Sequence, residues 1–127
     1  MKPLPPGTRR TESWLPAATD TADAGGNTGV YVVSSPAMIL FLENVCSRAT
    51  EDALDPGEVT VGIGFDLKHV APGLLGSPID CEAVLAEQAG RRLTFDVTLR
   101  QNGRVLMHGR HQRAAVPLDA FLAAAGG

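Results

Sequence analysis

From Met38 to Cys46 the apolar residues Met38, Ile39, Leu40, Phe41, Leu42, Val45 and Cys46 cover nearly the whole circumference of a helix. That is the pattern of a helix enclosed by other elements. The run is entered through Ser34-Ser35-Pro36, where serine suits an N-cap and proline the first turn, so the spacing predicts a helix from Pro36. Polarity returns at Arg48 and Glu51-Asp52, and Asp55-Pro56-Gly57 is a stop signal. Ahead of the helix, the β-branched run Val30-Tyr31-Val32-Val33 predicts a strand. Beyond Gly57 the period changes from 3.6 to 2. Val59, Val61, Ile63, Phe65, Leu67 and His69 share one face of a predicted strand, with Thr60, Gly62, Gly64, Asp66 and Lys68 on the other. Three more strands are predicted over 79–87, 91–100 and 104–116, the last two joined by the hairpin signal Asn102-Gly103. A short alanine-rich helix or tail follows over 118–125. Residues 1–29 carry Pro3, Pro5, Pro6 and Pro16 and the glycines Gly25, Gly26 and Gly29, so they are expected to be poorly ordered apart from a weak strand over 9–15.

One enclosed helix followed by four long strands is an α+β arrangement. A curved antiparallel sheet of five or six strands wrapped around a single central helix is the simplest way to bury it, and this describes a hot-dog fold spanning residues 30–127. Such a sheet leaves open edges and incomplete cover for the helix, so a homodimer is expected. The 127 residues suffice for one domain, and 44% hydrophobic with 20% charged residues is a globular composition. A net charge of −3 provides no basic excess, which argues against nucleic acid. Cys46 and Cys81 have neither CxxC nor Cys/His spacing, so no metal site is expected and both read as reduced, buried thiols. No apolar run approaches the roughly 18 residues of a membrane span, and Met1–Pro6 has no apolar leader; a cytoplasmic address with no membrane partner is the expectation.

Three residues stand out for chemistry. Glu43 interrupts the apolar helix between Phe41-Leu42 and Val45-Cys46. Either it is held by a partner or it lies on an exposed stripe with Asn44, Ser47 and Arg48. His69 continues an apolar strand face, as a rim histidine or as a base. Ser35 reads as a helix cap or as a hydroxyl in a cleft. Ser35 and Glu43 are eight residues apart, roughly 12 Å along a helix, so both can approach one ligand. The helix N-terminus adds free N–H groups suited to a developing oxyanion. Cys46 is a poor nucleophile candidate because it has apolar neighbours and no flanking cation.

The blocks Val30-Tyr31-Val32-Val33-Ser34-Ser35, Leu42-Glu43-Asn44-Val45-Cys46-Ser47-Arg48-Ala49, Asp55-Pro56-Gly57-Glu58, Gly62 seven positions before His69, Pro72-Gly73, Gly90-Arg91-Arg92-Leu93 and His111-Gln112-Arg113-Ala114 occur in one order. Through them the chain resembles the fluoroacetyl-CoA thioesterase family of hot-dog proteins over about Val30–Phe121. The resemblance implies hydrolysis of an acyl-CoA or acyl-carrier thioester, with Ser35, Glu43 and His69 as the catalytic set. Serine stands where the family usually has threonine, and Ser34 is an alternative hydroxyl. Glu43 would orient His69 or act on the carbonyl itself; Gly62 and Arg113 would serve the substrate, and Arg91 or Arg92 the CoA phosphates. No cofactor beyond the substrate's own CoA is implied. The family's lid phenylalanines have no counterpart in the lid-like stretch Gly25–Gly29, so fluoroacetyl selectivity is not expected and a small or medium acyl group is. The alternative is a hot-dog module that binds acyl ligands without catalysis; an acyl-CoA hydratase ranks below both.

Overall fold

The structure, a computed structural model, describes residues 1–126. Five strands form one antiparallel sheet: β1 (Arg9–Trp14), β2 (Glu58–His69), β3 (Ile79–Ala89), β4 (Arg92–Gln101) and β5 (Arg104–Pro117). Their spatial order is β1-β3-β4-β5-β2. The helix α1 (Ser35–Ala49) lies across the sheet, and α2 (Leu118–Gly126) follows β5. This is the α+β sheet-around-helix arrangement that the periodicity predicts. Met38, Phe41, Leu42, Val45 and Cys46 of α1 are buried against Leu93, Phe95, Val97 and Leu99 of β4 and Ile79, Cys81 and Ala83 of β3. The β4–β5 hairpin turns at Asn102 and Gly103, whose φ values of 52° and 79° are the positive pair that a two-residue turn needs.

Residues 1–29 are built onto this frame. β1 pairs with β3 along its whole length, from Arg9 opposite Val84 to Trp14 opposite Ile79. Arg48 of α1 reaches back to β1 and grips Glu12 with two bonds, Nε to Oε2 at 2.8 Å and Nη2 to Oε1 at 2.7 Å. Arg10 adds a third at 2.6 Å. Chiefly through Arg48, the Glu12 carboxyl is held down to about 2 from an ordinary 4.5. A carboxyl depressed on folding stabilises the fold above its unfolded value and loses that contribution as pH falls through the folded one. Glu12→Gln should therefore remove about 1 kcal/mol of stability at pH 7 and flatten the loss of stability between pH 4.5 and about 2, as read by denaturant melts across that range.

Three expectations are corrected. Val30–Val33 is not a strand: the carbonyls of Val30 and Val32 accept from Asp23 and Ala22, which closes the Gly-rich turn onto itself. Only Val33 makes bridges, to Thr21 and Gly73. The helix begins at Ser35 rather than Pro36, because Ser34 is the cap and its hydroxyl accepts from the Ala37 N–H at 3.2 Å. It is not enclosed on all sides within one chain either, since Leu40 is 60% exposed.

The face of β2 is also divided. Its register against β5 runs Thr60 to Ala115 and Gly62 to Arg113, then skips Ile63, so that Gly64 opposes Gln112 and Phe65 opposes His111. One extra residue in a strand reverses the facing of everything beyond it. Thr60 and Gly62 therefore face the helix together with Phe65, Leu67 and His69, while Val59 and Val61 face away. The shared apolar face expected over 59–69 is split at this bulge. β2 is an edge strand, open on the side away from β5.

Candidate active site

The capping by Ser34 frees the next hydroxyl for other use. Ser35 Oγ lies 2.6 Å from Nδ1 of His69, the last residue of β2, so the helix start and the strand end are tied by a hydroxyl–imidazole pair. His69 is exposed and Ser35 half-buried. The pair opens onto the surface, as a group meeting a ligand must.

Two turns along α1, Glu43 rests on the bulged part of β2. A Cβ added to Gly62 would stand 2.7 Å from Glu43 Oε2 and 3.2 Å from His111 Cε1, so the missing side chain is what leaves room for the carboxylate. Gly62 thus serves the acid first. Gly62→Ala has no positive φ to contend with, and its cost falls on Glu43; the protein should fold with turnover at least about tenfold lower, measured as kcat beside a thermal melt.

The charge facing Glu43 is Arg113, with Nη1 3.7 Å from Oε2; the two side chains are 6% and 32% exposed. Arg113 is itself held on three sides. Nε donates to Thr60 Oγ1 at 2.9 Å, Nη2 to the Thr60 carbonyl at 2.7 Å, and Nη1 to His111 Nε2 at 3.1 Å. On the other side of that imidazole, Nδ1 donates to the Gly64 carbonyl at 2.9 Å. A carbonyl only accepts, so Nδ1 carries the proton and Nε2 is left to accept from Arg113. Burial pushes the His111 pKa down, which keeps the ring neutral between its two partners. Burial also lowers the pKa of Arg113, while Glu43 opposes that shift. No buried side-chain N or O atom among the described residues lacks a partner.

Ser35 and Glu43 of α1 therefore meet His69 and Gly62 of β2 along one seam, which Arg113 reaches from β5. Their partners differ from two of the expected roles. The imidazole of His69 is oriented by Ser35 and not by Glu43, whose charged neighbour is Arg113. The donors of Arg113 point into the protein, so it bears on a ligand through Glu43. Of the remaining arginines, Arg91 is engaged by Glu58 at 3.3 Å and borders a separate cavity of about 660 Å3 with Met1, Leu4, Leu85 and Gln88. Both cysteines are free and buried. Burial pushes Cys81 up to about 12 and Cys46 higher still, which removes Cys46 as a nucleophile. No group of three or more His, Cys, Asp or Glu side chains placed to hold a metal occurs among the described residues. No helix among them is long and apolar enough to cross a membrane.

His111 and Thr60 belong to the site although periodicity does not single them out. The available signal is in β5, where His111 and Arg113 occupy successive inward positions of a strand that otherwise turns Met107 and Ala115 to the core.

A family model for fluoroacetyl-CoA-specific thioesterases matches residues 17–119. The chain is 31% identical over 84 residues to a fluoroacetyl-CoA thioesterase of Streptantibioticus cattleyicolor, covering 66% of this chain and 60% of that relative. A crystal structure of a fluoroacetyl-CoA thioesterase superposes with a TM-score of 0.92 at 25% identity, covering 98% of this chain and 96% of the other. A mutant of such an enzyme in complex with fluoroacetate and CoA superposes at 0.88 with 25% identity, covering 93% and 99%. A thioesterase superfamily member from Thermus thermophilus shares the fold, with a TM-score of 0.90, 21% identity and coverage of 98% and 92%.

Proposed function

The chain belongs to the fluoroacetyl-CoA-specific thioesterase family, and from that premise we propose that it hydrolyses a small or medium acyl-CoA thioester to the free acid and CoA. The observation that supports this reading is the pair of contacts made along α1, the Ser35 hydroxyl on the His69 imidazole at the helix start and the Glu43 carboxylate facing Arg113 two turns on.

Glu43, held by Arg113, takes a proton from water as the water oxygen bonds to the thioester carbon. The carbonyl oxygen gains negative charge near the positive end of the helix, where the Ser35 N–H is the first-turn donor left to meet it, since Pro36 has none and Ala37 and Met38 donate to Ser34. As the C–S bond breaks, its electron pair leaves on sulfur. With the Ser35 hydroxyl donating to Nδ1, His69 carries its proton on Nε2 and donates a hydrogen bond from it to the departing thiolate, which takes its proton from solvent, while Glu43 gives up to solvent the proton it drew from water. Serine keeps this bond but lacks the methyl that restrains a threonine rotamer. The reaction needs no cofactor apart from the CoA of the substrate.

The acyl group is not fluoroacetyl in this reading, because Gly25–Gly29 contributes no aromatic side chain over the helix start. Two copies joined at the open edge of β2 would pair its free backbone groups and close the Glu43 side of α1, so the working unit is a homodimer. Its place is the cytoplasm, with CoA thioesters and no membrane or nucleic-acid partner; an acyl-carrier thioester is the other carrier to try. Thiol release from acetyl-, butyryl-, isobutyryl-, phenylacetyl- and long-chain acyl-CoA should identify at least one substrate, with His69→Ala lowering kcat by about 10²-fold. Protection against heat by acyl-CoA without any thiol release would instead assign a binding module.

A further inference from the structure

The bulge at Ile63 has turned one aromatic ring toward the carboxylate. Phe65 stacks on the neutral imidazole of His111, with centroids 4.6 Å apart and planes 21° from parallel, yet it remains 50% exposed. Its Cζ comes 3.5 Å from the point where a Gly62 Cβ would stand, the same point that lies 2.7 Å from Glu43 Oε2. The ring and the acid therefore border one space. Phe41 and Phe95 are buried in the core and Trp14 packs on Phe41, so those rings are committed elsewhere. The cation paired with Glu43 is Arg113, whose side chain is 6% exposed and whose donors go to Thr60 and His111. A ligand carboxylate entering this space would meet Glu43 with no free positive partner, at a desolvation cost that an apolar group escapes.

We propose that Phe65 is the specificity-determining wall of the acyl site, and that the acyl group it receives is apolar and uncharged, with a flat or branched surface to lay on the ring. This deepens the thioesterase reading and rests on it. An acyl group stacked on the bare part of Phe65 gains contact in proportion to its size, whereas acetyl gains little. A dicarboxylic acyl group is rejected by Glu43.

The test uses the full chain, with wild type, Phe65→Ala and Phe65→Leu assayed on acetyl-, isobutyryl-, phenylacetyl- and succinyl-CoA. Wild type should turn over phenylacetyl- and isobutyryl-CoA at least about tenfold better than succinyl-CoA in kcat/KM. Phe65→Ala should lower kcat/KM for phenylacetyl-CoA by about tenfold or more, mostly through KM, and leave acetyl-CoA within about threefold; Phe65→Leu should fall between. An equal loss on all four substrates, an unchanged preference, or a loss that follows a change of oligomeric state on size exclusion would overturn the proposal. Should wild type release no thiol from any substrate, the hydrolase reading fails by itself, and thermal shift decides the inference. Phenylacetyl-CoA must then protect wild type more than CoA does and lose that excess in Phe65→Ala; equal protection by the two ligands refutes the wall.

Discussion

Glu43→Gln lowers kcat by about 10³-fold on every thioester that wild type hydrolyses, with the melting temperature nearly unchanged. The amide fills the same space over Gly62 and still offers an oxygen to Arg113, so the seam keeps its shape. What is lost is the negative charge and the basic oxygen. Because Glu43 is 32% exposed and Arg113 retains Thr60 and His111, the change leaves no buried group without a partner. Steady-state thiol release beside a thermal melt checks both halves. A variant within tenfold of wild type in kcat would remove Glu43 from the chemistry and leave the Ser35–His69 pair to act alone. Combining Glu43→Gln with His69→Ala should cost less than the product of the single losses, since both act on the same step.

The fold was legible where a pattern is local and the site only where a pattern survives packing. The apolar density between Met38 and Cys46 marks α1, and the alternation across Leu93, Phe95, Val97 and Leu99 marks an inner strand whose four residues are all buried. Val30–Val33 has the same β-branched composition as a strand, but its carbonyls are taken by Ala22 and Asp23, a tertiary competition that no propensity records. Period-two reasoning across β2 fails at one residue: Ile63 looks like its neighbours, and nothing in its chemistry announces that Gly64 rather than Ile63 will face Gln112. Adjacent serines pose a similar limit. Ser34 and Ser35 fit the cap equally well, and only the arrival of His69 beside the second distinguishes them. Glu43 could have been answered from its own helix by Arg48, yet Arg48 is drawn to Glu12 on β1 and the answer comes from Arg113 on β5. Partners that are 36 or 70 positions distant in sequence lie outside any helical or strand period.

Arg113→Leu should destabilise the protein by about 3 kcal/mol and reduce turnover with it. The leucine leaves Glu43 without its cation, the Thr60 carbonyl without its donor, and His111 Nε2 as a buried acceptor with nothing to accept. Thr60 Oγ1 keeps only a long contact with Thr50 at 3.4 Å. Arg113→Lys should recover less than half of the loss, although it restores the charge. A guanidinium presents its N–H groups in a rigid planar fork, and here that fork spans both oxygens of Thr60 and the imidazole at once; an ammonium on a flexible stem reaches one or two of these positions. Denaturant midpoints at constant slope give the stability of each variant. The lysine variant separates the two contributions of the residue. If charge opposite Glu43 were its whole role, Arg113→Lys would stand within about 1 kcal/mol of wild type with turnover intact. Failure of the lysine in both measurements assigns the effect to geometry, with His111 and Thr60 fixing the arginine and the arginine fixing the acid.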